Sequence, residues 1–480
     1  MVKKLDDIKK LPQGVKASIA FFIANIVTKG IAYITTPLYT RILTDDEFGK
    51  TSVFLTWLQI FGIIAMFCLQ WGVFNNGMVD YPDKRDEYSF SMLILSNIIT
   101  LCFAGIILCI YPLIKGFLDI SYPLVILMCV VFFLQPAYNF WMSRQRYELK
   151  YKFTVFWSIL SAFISPLVAI ICIKCFPEHR LYARLFGAEV ALIVIYIGFY
   201  FYIGYKASFK LDTKYWKAAL LFNLPLIPHY LSTYLLGSAD KIMISKIISD
   251  SATAYYSVAY SVASIAIIIW TAANSSLIPY TYEKCKVKDY KAISKVSLPI
   301  LAVFGVACIF IILLAPEVVA IMAKKSYREA TYSIPPIVGG VFFQVHYYLY
   351  ANILYYYKKP KYVMIGSVVA TILNIILNYI FIKEFGYIAA GYTTIFCYFV
   401  QALIDYFAMK KVLGQSVYNM KVIAAMSVGI VAISLVSNLT YDYFIIRYVI
   451  AAGIVALGVI YRNKLMSMFV GMKKGKKNES

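Results

Sequence analysis

The sequence predicts an all-α, polytopic membrane protein, and three observations carry that prediction. Fourteen apolar segments of roughly 20 residues fill the chain, each the length a helix needs to cross about 30 Å of hydrocarbon. Of the 480 residues, 61% are hydrophobic and only 15% charged, and the mean hydropathy is +0.73. Lysine and arginine alternate in density: with the amino terminus inside, 32 fall on inner segments, 13 on outer segments, and Lys29 lies within a span. This positive-inside bias supports an even number of spans with both termini cytoplasmic.

In order, the spans are expected at 17–39, 50–73, 89–111, 120–141, 153–173, 182–204, 216–237, 254–280, 296–315, 333–356, 362–382, 387–409, 421–439 and 443–461. Lys3, Lys4, Lys9 and Lys10 precede an apolar run too long for a signal-peptide core, and no small-residue cleavage site follows, so the first span is expected to remain. In span 7, Pro225 and Pro228 remove backbone donors and bend the helix. Tyr355, Tyr356 and Tyr357 beside Lys358 form an interface anchor. The implied organisation is a cytoplasmic start (1–16), a six-span lobe (17–204), a cytoplasmic linker (205–217), a second six-span lobe (216–409), two additional spans (421–461) and a basic cytoplasmic tail (462–480).

The chain also repeats itself. Arg41–Val53 (RILTDDEFGKTSV) aligns with Lys246–Val258 (KIISDSATAYYSV) at an offset of 205. Asp45, Ser52 and Val53 match Asp250, Ser257 and Val258, and Thr44 matches Ser249 in kind. Both stretches follow an odd-numbered span, so the halves point the same way. A parallel repeat of this kind places a pseudo-two-fold axis along the membrane normal, with substrate between the halves.

Several classes are excluded. The net charge of +22 is scattered over short loops, which suits anionic membrane lipids and not nucleic acid. No P-loop, H-E-x-x-H or G-x-S-x-G motif is present. No loop exceeds about 20 residues, too little for the extramembrane face of a polymerase or glycosyltransferase. No enzyme activity, cofactor or metal is expected. His179, His229 and His346 lack metal-ligand spacing, and Cys172 with Cys175 is a C-x-x-C without the strand–helix context of a redox site.

Charged and polar residues inside spans are the functional candidates, because each costs about 2.5–3.5 kcal/mol at the bilayer centre on insertion scales. Lys29 sits mid-span, with Asn25 one turn before it and Tyr33 one turn after. It is expected to face a hydrated cavity or an acidic partner. Span 7 carries Asn223, His229, Asp240 and Lys241; the last two either face a lumen or mark the outer end of the span. Gln344, His346 and Asn352 in span 10, and Asn374 with Asn378 in span 11, either line a pore or bond between helices. Glu189 is expected to pair with Arg184 near the outer interface, and Asp405 to be interfacial near Lys410.

The segments Asn25–Gly30 (N-x-x-x-K-G), Thr36–Gly49 (TPLYTRILTDDEFG), Pro225–Lys246 (PLIPHYLSTYLLGSADKIMISK) and Leu373–Gly391 (LNIILNYIFIKEFGYIAAG) together resemble the polysaccharide transporter family. These are the Wzx-type flippases of O-antigen and capsule units, within the superfamily of multidrug and toxin extruders and the lipid II flippase. The likeness runs from about residue 15 to 410, and Lys241 stands where that family more often has arginine. The resemblance implies two six-helix lobes that rock between inward-open and outward-open forms. It implies transfer of an undecaprenyl-diphosphate-linked oligosaccharide to the outer leaflet of a bacterial cytoplasmic membrane, for lipopolysaccharide O-antigen or other polysaccharide. A polymerase and a chain-length regulator would be partners. Lys29, Asn25, Arg41, Asn223, Lys241, His346, Asn374 and Asn378 are then candidates for substrate binding, and Asp240, Glu189 and His229 for ion coupling. A multidrug–cation antiporter of the same superfamily is the alternative, disfavoured because the candidate lumen is more basic than acidic.

Overall fold

Short turns interrupt the chain where its apolar runs end, and helices fill the space between. The computed structural model describes residues 13–460. The basic tail and residues 1–12 of the expected cytoplasmic start lie outside them. Among the described residues the secondary structure is entirely helical. Helical segments occupy all fourteen expected spans, and twelve are long and apolar enough to cross a membrane. The two others are Ala389–Leu413, diluted by threonines, tyrosines, Gln401 and Asp405, and Phe444–Ile460, which has 17 residues. The chain divides into two units, one ending at Tyr234 and the other beginning at Leu235.

In the first unit, the helices are α1 (Gln13–Ile42), α2 (Asp45–Ala65), α3 (Val73–Asp80), α4 (Arg85–Leu118), α5 (Tyr122–Tyr147), α6 (Tyr151–Cys175), α7 (Arg180–Lys206) and α8 (Lys214–Asn223). Span 2 was expected to continue to 73, but α2 stops at Ala65. Phe67 and Cys68 take positive φ values of 54° and 52°. Distant side chains satisfy the carbonyls this break leaves: Thr100 Oγ1 donates to Ala65 O at 3.1 Å, and Asn223 Nδ2 to Phe67 O at 3.0 Å. Buried helix ends at membrane depth require such partners. The core here stacks Phe74 on Phe140 and packs Tyr215 edge-on to Tyr88. Glycine permits close packing of α6 and α7, since a Cβ at Gly187 would lie 3.0 Å from Ala169 Cα. Span 7 breaks where its prolines predict: α8 ends at Asn223, Leu224–Leu226 forms a 3-10 turn around Pro225, and α9 (Ile227–Ile247) resumes.

The second unit contains most of α9, then α10 (Asp250–Lys286), α11 (Tyr290–Leu313), α12 (Ala315–Met322), α13 (Ile334–Tyr356), α14 (Pro360–Phe385), α15 (Ala389–Leu413), α16 (Met420–Val436) and α17 (Phe444–Ile460). Helix α13 is its centre; nearly every side chain from Ile334 to Leu354 is buried. It packs against α10, α15 and α16. Helices α14 and α15 form a hairpin turned at Gly386, whose φ of 78° suits glycine. Arg447 on α17 is buried and meets Glu317 at 2.7 Å and Leu313 O at 2.8 Å.

The sequence repeat has a structural counterpart in each unit. Thr44 caps α2 by accepting from Glu47 N, with the Glu47 side chain returning to the Thr44 amide. Ser249, its aligned partner, caps α10 by accepting from Ala252 N. Asp45 and Asp250 each open the following helix, where a carboxylate favours the helix dipole.

Candidate functional site

The densest buried polar cluster in the second unit forms around Asp240. This residue lies on α9, near the end of a long apolar run, and is 1% exposed. Asn378 Nδ2 donates to Asp240 Oδ1 at 2.6 Å. Tyr256 OH on α10 donates to Oδ2 at 2.6 Å, and Thr394 Oγ1 on α15 to the same oxygen at 3.2 Å. Asn378 Nδ2 also reaches Asn374 Oδ1 at 3.1 Å, Asn374 Nδ2 donates to Thr394 Oγ1 at 3.2 Å, and Thr393 Oγ1 bonds Asn378 Oδ1. Four helices thus converge on one carboxylate. Burying a carboxyl is costly unless it is hydrogen-bonded, and here three side chains donate to it. The same shell is rich in oxygen: carboxylate, amide and hydroxyl. A proton on either carboxyl oxygen would disturb one of these donors, so the cluster is sensitive to the charge on Asp240.

The expected residues separate into enclosed and exposed groups. Asn374 and Asn378 are fully buried and bond between α9, α14 and α15, the interhelical alternative. Asn352 likewise donates to Asn274 Oδ1 at 2.9 Å. Asn223 is buried against the break after α2, and His346 is buried beside Phe342 and Phe343. In this conformation none of these four candidates, Asn223, His346, Asn374 or Asn378, meets a solvated lumen. Lys241 is half-buried, with Nζ 4.9 Å above the Tyr260 ring. His229 is half-buried against Tyr230, and Glu189 is buried on α7. Lys29 and Asn25 are exposed on α1, and Arg41 is exposed at its last turn.

Two expectations are corrected. Arg184 does not form a close ion pair with Glu189; its guanidinium lies 3.9 Å above the Tyr39 ring. Asp405 does not present its carboxyl to solvent. It is 0% exposed, with both carboxyl oxygens lacking a hydrogen-bond partner. The helix turns it toward α14, where Gly366 leaves the room: a Cβ there would lie 2.9 Å from Asp405 Oδ1.

Sequence reasoning missed Tyr256, Thr393 and Thr394. A signal existed for two of them. Tyr256 falls inside the repeated segment, and Thr393 follows the Leu373–Gly391 motif by two residues. Tyrosine and threonine are common in spans, so neither stands out alone.

The profile of a family described as "Polysaccharide biosynthesis protein" matches residues 15–285, more than half of the chain. The chain belongs to this family. The MatE family profile matches residues 225–380, which include Asp240, Asn374 and Asn378. Lsg locus putative protein 1 of Haemophilus influenzae is 22% identical over 378 residues, 75% of this chain and 89% of the relative. The probable low-salt glycan biosynthesis flippase Agl15 of Haloferax volcanii is 23% identical over 404 residues, 81% and 82% of the two chains. Among solved structures, the inward closed conformation of the lipid II flippase MurJ superposes with a TM-score of 0.67 at 16% identity, covering 94% of this chain and 100% of that one. The last likeness is one of fold.

Proposed function

We propose that this member of the polysaccharide biosynthesis family is a flippase, not an enzyme. It would carry an undecaprenyl-diphosphate-linked oligosaccharide from the cytoplasmic to the outer leaflet of a bacterial cytoplasmic membrane by alternating access, with both termini cytoplasmic. The product would serve O-antigen, capsule or exopolysaccharide assembly, alongside a polymerase and a chain-length regulator.

One observation carries the reading: Lys29 is exposed in the middle of a membrane-spanning helix. Among the described residues, no hydrogen bond or ion pair holds its ammonium. Facing lipid, that charge would cost several kcal/mol. Facing a hydrated path, it would attract a diphosphate as a point charge, with Asn25 on the same face and Arg41 three turns on. Asp240, in its shell of amide and hydroxyl groups, is the proposed carrier of a coupling proton or cation; Glu189 and His229 are secondary candidates. Membership in a polysaccharide family supports glycan cargo, and the flippase relative supports the mode of transport.

The test is Lys29→Ala in the native host. Surface polysaccharide should disappear while the protein still inserts at normal abundance. Normal polysaccharide in that strain would remove Lys29 from the mechanism.

A further inference from the structure

Within the first unit, α2, the turn after it and α5 enclose a cavity of about 320 Å³, in the size range of small-ligand pockets. Its lining is rich in amides. Gln59 lies in the interior of α2 and is exposed; Gln70 follows the break after α2; Asn139 lies on α5. Among the described residues, no hydrogen bond satisfies any of these three amides. An amide shut away from water without a partner costs free energy, so three of them around one space suit water or a polar ligand.

Two aromatic residues complete the wall. Trp71 is 48% exposed and fixed edge-on by Tyr230 at 4.8 Å. Tyr138 is held by its hydroxyl, 3.3 Å from Ser161 Oγ. The one charged lining residue is Arg146, near the end of α5, and no carboxylate lines the cavity. A cationic ligand would find no counter-charge here. Amides that both donate and accept, beside aromatic faces, match the hydroxyls and C–H faces of a sugar ring, and the guanidinium matches a phosphate.

We propose that this cavity is a saccharide subsite. Gln59, Gln70 and Asn139 bond the hydroxyls of an uncharged sugar, Trp71 and Tyr138 pack on its C–H face, and Arg146 meets the phosphate end of the lipid-linked glycan. The proposal rests on the flippase reading and adds where cargo identity is read.

Binding of two probes to full-length protein in lipid nanodiscs separates the two claims. One probe is undecaprenyl diphosphate bearing a single N-acetylglucosamine; the other is undecaprenyl diphosphate alone. The wild type should bind the glycosylated probe about tenfold more tightly, the yield of about two net hydrogen bonds. The double variant Gln59→Ala, Asn139→Ala should lose that difference and still bind the bare lipid, which also shows that it folds. Should the double variant bind neither probe, the single variant Gln59→Ala, at an exposed position, decides in the same way. Equal affinity of the wild type for both probes, or a preference that survives in the variants, overturns the subsite and leaves the flippase reading standing. Binding of neither probe by the wild type overturns both.

Discussion

Asp240 shows what one carboxyl can organise. Its two oxygens accept from Tyr256, Asn378 and Thr394, so its charge matters to three neighbouring helices. Asp240→Asn keeps the shape and removes the charge. Surface polysaccharide is expected to fall more than tenfold with membrane abundance unchanged; an undiminished yield would exclude a coupling role. Glu148, just past the end of α5, permits a pH test. Burial raises its pKa, but hydrogen bonds from Lys150 and Arg144 and their charges outweigh this and hold it below the usual carboxylate value. Arg144 Nε lies 2.8 Å away. Its contribution, about 1 kcal/mol, is therefore present above the ordinary pKa near 4.3 and fades as pH falls through the lower folded value. Glu148→Gln should lower the unfolding temperature at pH 7 and converge with wild type below about pH 4. An undiminished gap at pH 3 would contradict this.

Between elements, the close approach of α6 and α7 depends on Gly187. A Cβ at that position would lie 3.0 Å from Ala169 Cα and from Cys172, whereas nothing lies within 4 Å of one at Gly198 on the same helix. Gly187→Leu should destabilise the purified protein by about 1–3 kcal/mol, and Gly198→Leu should leave the unfolding temperature nearly unchanged. Comparable losses from both would show that glycine matters there for a reason other than packing. The elements themselves were legible where their cause is local. Apolar runs marked the positions of fourteen helical segments, twelve of them long and apolar enough to cross a membrane; the prolines marked the interruption of span 7, and the repeat marked two turns that prove equivalently capped. The early end of α2 was not legible, because its partners Thr100 and Asn223 lie 35 and 156 residues from the carbonyls they satisfy. The same limit applies to the site. Asp240, Asn374 and Asn378 stood out as polar residues in apolar surroundings, but sequence could not show that they meet each other, nor that Asp405 turns inward onto a glycine.

For the molecule as a whole, the division of labour is between residues that the fold encloses and residues that it leaves open. The enclosed set, around Asp240 and along α13, is bonded within protein. The open set, Lys29, Asn25, Gln59 and Asn139, is polar and sits on helices that are otherwise largely apolar. Trp71 belongs to this open set, and its position has a practical consequence. The chain has six tryptophans, and Trp57, Trp141 and Trp270 are shielded at 6%, 8% and 1% exposure, against 48% for Trp71. The native protein therefore carries a fluorophore at the mouth of a cavity. Filling that cavity should shift its emission to the blue, and Trp71→Phe should abolish the shift, giving an unlabelled optical readout of occupancy in the purified protein.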